Sequence, residues 1–372
     1  MTNDKLNNNS IAKLLDKRSK LVLGIAVTFI VFSFIAPVIF VQDSILGINF
    51  MKTGPIGDTI GGIMNPFIAL AGIFLTFLAF YIQVLANQQQ RDSFRKELDE
   101  QKVQFSKNQF ENQFYEMLRL HKENVNEISI TLLSSYYSGK ETVKFESKIN
   151  GRETFKIFLN EITILYGVSK NIFKNENKDS WLNKAYHIFF QGITRDKNNK
   201  NITGNYGLFI EELLDIREQN KINNTTFNNK MHKFSINAER FNYLLFNGQS
   251  TLLAHYYRHL YQTVKFVANQ DRLLDYSEKR KYLRILRAQL SNQEQAMLFY
   301  NWKSEFGANW ENKDNHFFTD YRMIHNLYND LLDSDFNLNE IFRLDEPIYY
   351  KTEINRKNDS LFEFQDWGNA SE

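Results

Sequence analysis

Residues 63–85 read IMNPFIALAGIFLTFLAFYIQVL, and the way this stretch gives onto its polar neighbour decides the architecture. No charge interrupts the stretch, and it is long enough to cross a hydrocarbon core, which takes about 20 residues. Directly behind it come NQQQRDSFRKELDEQKVQFSKNQFENQFYEMLRLHKENVNEI (87–128), which are polar yet free of Pro and Gly. Nothing stops the helix at the membrane edge, so the span is expected to continue as one long helix. Phe94, Leu98 and Phe105 give residues 87–109 a sparse apolar stripe, the pattern of a stalk or of a coiled coil between copies. Phe110, Phe114, Met117 and Leu118 make the stripe denser, which predicts docking onto a globular body from about residue 110.

A first uncharged segment, Leu21–Val41 (LVLGIAVTFIVFSFIAPVIFV), precedes this one. A secretory h-region runs about 7–15 residues to a small-residue cleavage site. This segment is longer and ends in bulky side chains, so it reads as a membrane anchor. Lys17, Arg18 and Lys20 flank it, Arg91, Arg95 and Lys96 come after the second span, and Asp43, Lys52 and Asp58 lie between them. The positive-inside rule then places both termini in the cytoplasm.

The second span has two unlike faces. Steps of three and four residues collect Asn65, Ala69, Gly72, Thr76, Ala79 and Gln83 on one side, all small or polar. Phe67, Leu70, Phe74, Phe77 and Tyr81 are collected on another. Small residues let helix backbones approach closely in lipid. The small face is therefore either a packing seam against the first span or a self-association face that lines a pore.

Composition narrows the chemistry. The chain of 372 residues has no Cys, which removes disulfides, thiolate catalysis and Cys-based metal sites. A net charge of +2 gives no nucleic-acid footprint. With only 16 Gly and 4 Pro against 33 Phe, long helices fit better than a turn-rich β fold. The expected class is all-α: a cytoplasmic segment (1–20), a transmembrane hairpin (21–86, spans 21–41 and 63–85), a stalk (87–109), a helical cytoplasmic domain (110–343) and a tail (344–372) that is loosely ordered after Asn355. Helices are expected at about 151–168, 179–194, 206–220, 236–247, 251–268, 277–304 and 315–334. No sustained strand pattern stands out, except short pieces near 344–355.

TLLAHYYRHLYQTVKFV (251–267) places His255 and His259 one helical turn apart. At about 100° per residue, Leu253, Tyr256, Leu260, Val264 and Val267 share one face, and His255, Arg258, His259 and Gln262 the other. A catalytic zinc helix would add a Glu beside the first His and a third ligand. Here Tyr256 follows His255 and Arg258 would repel a cation, so no metal and no cofactor are expected. In 282–302, Arg284, Arg287, Ser291 and Glu294 make a similar polar stripe. Together His255, Arg258, His259, Arg284, Arg287, Ser291 and Glu294 are either a buried hydrogen-bonded network or an anion site. No Walker loop, GxSxG or GxGxxG is present.

Several stretches resemble the phage abortive-infection proteins, an AbiC-like family of bacterial membrane proteins. They are GGIMNPFIALAGIFLTFLAFYIQ (61–83), FYEMLRLHKENVNEI (114–128), GRETF (151–155), LAHYYRHLYQTVKF (253–266) and YLRILRAQLSNQEQAMLFYN (282–301). The resemblance implies anti-phage defence in which the infected cell stops growing or dies before phage is released. It carries no catalytic residues. The expectation is a homo-oligomeric effector in the bacterial inner membrane, whose helical domain senses a phage-derived trigger or a small anionic ligand and makes the bilayer leaky. The alternatives are a membrane-anchored hydrolase or nuclease using the Arg/His/Ser/Glu stripes, and a membrane-anchored protein that sequesters a phage or host factor.

Overall fold

The computed structural model describes residues 17–41, 56–138, 141–193, 204–222, 224–238, 243–344 and 360–364, and the chain divides into two units, 1–106 and 107–372. The class is all-α. The loop between the spans, the expected strand pieces near 344–355 and most of the expected tail lie outside the described residues.

In the first unit, α1 (Lys17–Val41) pairs with the start of α2 (Ile56–Glu127). Both carry apolar windows long enough to cross a membrane, and only 17% and 11% of those windows is buried. A core helix of a soluble protein would be mostly covered, so this apolar surface is left for lipid or a partner. The α1 contact is aromatic. Phe29 stacks on Phe74 at 5.9 Å, and Phe32 meets Phe67 edge-on at 4.8 Å. Ala71 and Leu78 are buried on the same side. The seam therefore runs through Phe67, Ala71, Phe74 and Leu78. The small/polar face is not the seam: Asn65, Ala69, Gly72, Thr76, Ala79 and Gln83 are all exposed. Bulky rings win the contact because they bring more dispersion surface to a partner that also presents Phe.

One helix continues unbroken through residue 106 to Glu127, as the lack of helix breakers predicts. In the second unit its last turns bury one face, with Phe110 stacked on Phe266 at 5.2 Å and Phe114 against Tyr282 at 5.2 Å. Next comes a two-stranded antiparallel hairpin, β1 (Ser129–Ser138) and β2 (Glu141–Asn150). No strand is expected here from the sequence. Yet Val143, Phe145 and Ile149 alternate with polar residues, and Ile130, Thr131, Tyr136 and Tyr137 are β-formers.

The centre of the second unit is α3 (Glu153–Ile172), buried nearly all round through Phe155, Phe158, Ile162 and Leu165. It packs against α4 (Lys178–Gln191), α5 (Gly204–Ile222) and α9 (Asn292–Lys303). Between α5 and α9 run α6 (Asn224–Lys233), α7 (Ser250–Ala268) and α8 (Tyr276–Arg287). Each fully buried Phe adds about 1.5–3 kcal/mol relative to exposure.

Three expected helices change. The predicted 277–304 helix is two, because the Ser291 hydroxyl and the Glu294 carboxylate form a capping box that starts α9. Within predicted 236–247, the described residues 236–238 and 243–247 are turns and irregular chain, not helix. Residues 243–249 are held by the fully buried Glu161, whose carboxylate accepts from the Tyr243 hydroxyl (2.7 Å), the Phe246 amide (2.6 Å) and Gln249 Nε2 (3.0 Å). Residues 315–334 are turns with one 3-10 segment, Asn329–Leu331. A further departure lies in the tail, where Leu361 and Phe362 are buried and the Glu363 amide donates to the His325 carbonyl at 2.8 Å.

Two glycines bring the end of α4 beside the start of α7. Gly192 and Gly248 both have positive φ, +82° and +89°. A Cβ on Gly192 would lie 2.5 Å from the Asn247 carbonyl oxygen, and one on Gly248 2.7 Å from that of Gln191. Only glycine fits either position.

Candidate functional site

The docked face of α7 is Leu253, Tyr256, Leu260, Val264 and Val267, all buried, as the helical period requires. Its other side presents His255, Arg258, His259 and Gln262 to the last turns of α2. With Asn124 and Glu127 they line an open groove of about 600 Å3. His259 Nε2 lies 2.8 Å from the Met117 carbonyl. A carbonyl only accepts, so this nitrogen carries the proton and donates.

Behind the groove lies His121, 1% exposed, its ring stacked on that of His259 at 6.3 Å and beside Tyr256 at 5.5 Å. Neither ring nitrogen has a hydrogen-bond partner among the described residues. Burial, and then the nearby His259 and Arg152, push its pKa down to about 4, so the ring is neutral at physiological pH.

Tyr256 joins this layer to Glu294. Its ring belongs to the apolar face of α7, while its hydroxyl donates to Glu294 Oε1 at 3.1 Å. Glu294 is fully buried, and its other oxygen accepts from the Ser291 amide at 2.7 Å. Arg152 Nε stands 3.5 Å from the same carboxylate, and Arg152 Nη2 donates to the Gln289 carbonyl at 2.5 Å. Burial raises the Glu294 pKa, opposed by the Ser291 and Tyr256 hydrogen bonds and the Arg152 charge.

The expected site residues therefore separate. His255, Arg258 and His259 line the groove, and Ser291 and Glu294 sit below it through Tyr256. Arg284 is exposed on α8 and does not line the groove, and Arg287 Nη1 donates to the Arg322 carbonyl at 3.3 Å. The two readings of the stripes divide along the same line. The Glu294 side is a satisfied buried network, whereas His255 and Arg258 are open to solvent. His121, Arg152 and Tyr256 were not among the expected residues. All three stand in stretches that carry the family resemblance, 114–128, 151–155 and 253–266, so these separate blocks meet at one place. The groove offers two imidazoles, a guanidinium and two side-chain amides to an anion, with the Glu127 carboxylate in the same lining opposing one.

Residues 248–331 match the family model described as "Putative phage abortive infection protein". The match supports the AbiC-like resemblance, and this family points to a role in abortive infection. It covers α7, α8 and α9 with His255, Arg258, His259 and Glu294, and leaves His121 and Arg152 outside. No curated protein and no solved structure matches the chain.

Proposed function

We propose that the chain defends a bacterium against phage by abortive infection, as a membrane effector whose helical domain senses infection at the α2/α7 groove. The observation that carries this reading is the continuity of α2. The helix whose first part is apolar enough for a bilayer also supplies Asn124 and Glu127 to the groove and His121 behind it. A small anion held by His255 and Arg258 would bias the packing of the last turns of α2. That bias passes along the helix to the spans, alters how copies assemble, and lets ions cross past the exposed face of Thr76 and Gln83. Both termini face the cytoplasm in this reading.

Single-cell membrane potential during infection tests it. Wild type is expected to depolarise, and a Thr76→Leu/Gln83→Leu variant to hold its potential and lose protection. If the variant protects and depolarises like wild type, permeabilisation through this face is wrong. If potential holds in wild type while growth stops, the membrane is only an anchor, and a substrate or captured partner of the helical domain becomes the effector route.

A further inference from the structure

The stalk part of α2 leaves large apolar side chains in a polar stretch of sequence. Phe94 is 58% exposed, Leu98 37% and Phe105 69%, within NQQQRDSFRKELDEQKVQF. Their spacings of four and seven are those of alternate core positions in a heptad repeat. Carried back without a phase change, the same register falls on Leu70, Ile73, Phe77, Phe80 and Val84, all exposed on the spanning part. Counted at about 100° per residue, this stripe lies about 90° from the Phe67/Phe74 face that holds α1 and about 100° from the small/polar face. A partner on it would displace neither.

We propose that a second copy of this chain covers the stripe, as a parallel, in-register two-stranded coiled coil through the stalk that continues into the span. This rests on the membrane-effector reading above and names the partner in it. The flanking charges choose the orientation. Arg95 and Lys102 flank one side of the stripe, and Glu97 the other. In a parallel pair Glu97 of one copy faces Lys102 of the other across the seam. In an antiparallel pair Arg95 and Lys102 would face their own kind. Two copies inserted with one topology must also run parallel. Neither charge is committed within its own helix. Lys102 reaches Asp99 at 3.3 Å with both side chains about three-quarters exposed, and Glu97 takes only a 3.4 Å contact from Gln101. Asn87, Arg91 and Gln101 occupy core positions of the register, and such polar layers fix register at a cost in stability. The stalk pairing is therefore weak by itself and responsive to what either end of the helix does.

The absence of cysteine makes the test direct. Leu98→Cys, Phe105→Cys and Val103→Cys are made singly in the full chain, and membranes from uninfected cells are oxidised with copper phenanthroline. Val103 is the control, 63% exposed but off the stripe. A disulfide needs Cα atoms within about 7 Å, so the Leu98 and Phe105 variants should form dimers about tenfold faster than the Val103 variant. Differently tagged Leu98→Cys and Phe105→Cys copies, co-expressed, should link only to their own kind. Equal or faster linking at Val103, monomers at all three positions in correctly inserted protein, or Leu98-to-Phe105 links would overturn the proposal. Cross-linking is scored without infection or ion flow. Loss of depolarisation with cross-linking intact therefore sinks only the permeabilisation reading, and monomers that still depolarise sink only the coil.

Discussion

Tyr256→Phe removes one oxygen from the buried layer and leaves everything else about the ring in place. Its contacts with Phe155 at 5.1 Å, Tyr257 at 5.3 Å and His121 at 5.5 Å are aromatic and survive the change. What is lost is the donor to Glu294 Oε1, on a side chain with no exposure to water. Stranding a buried acceptor costs about 1–3 kcal/mol, more if it stays charged. The raised pKa of Glu294 limits the loss, because the carboxyl can take up a proton instead. About 2 kcal/mol is expected. For a body of this size that is a fall in Tm of about 4–8 °C. The full chain in detergent, melted at pH 7 and followed by near-ultraviolet circular dichroism, reads it. Glu294→Gln should also destabilise, since the amide can satisfy the Ser291 N–H but not both Tyr256 and Arg152. The double variant should lose less than the sum of the two, by about 1 kcal/mol, because the partners touch. A Tm within about 1 °C of wild type for Tyr256→Phe, or strict additivity, would refute the coupling of α7 to α9 through this bond.

Between its folded pKa of about 4 and the ordinary 6.5, His121 holds fewer protons in the folded than in the unfolded chain, so its contribution to stability rises with pH across that window. From pH 7 to 5 wild type should lose about 2 kcal/mol more than His121→Leu in paired melts, and equal losses would remove His121 from the account. Gly167→Ala places a Cβ 2.6 Å from Ile236 Cδ1, an overpacking worth about 1–3 kcal/mol, and Ile236→Ala should reduce the cost of the alanine in a double-mutant cycle. Phe362→Ala should cost about 3–5 kcal/mol, since the ring is fully buried and meets Phe342 at 5.4 Å. An unchanged melt would mean that residues 360–364 do not dock in solution.

The local features were legible in the sequence, the long-range ones were not. Periodicity sorts α7 into its buried and open faces, because burial on a helix repeats every 3.6 residues whatever the partner. The break before α9 was also readable, since Ser291 to Glu294 spells a capping box, although the apolar period runs on past it. Tyr256 was hidden by its double character: a ring that counts as core and a hydroxyl that reaches a carboxylate 38 residues on. No spacing rule connects His121 or Arg152 to α7, because their meeting depends on how α2, the hairpin and α3 fold back. The hairpin was missed for a different reason. Its alternation is short and stands directly after a very strong helical signal. The seam with α1 shows that small residues mark where backbones can come close, and a bulkier partner on another face can still take the contact.

The pair Gly192 and Gly248 has a consequence for how this sequence can drift. In a crowded core, a larger residue is usually tolerated once a neighbour shrinks. Here each position is crowded by the main chain beside the other, and both already carry the smallest side chain there is. No compensating substitution exists, so neither glycine can be abandoned alone or in exchange for the other. The junction that sets α7 on its course is therefore closed to gradual change. Variation in what the groove binds has to come from the side chains of α7 and α2, with the helix itself held where it is.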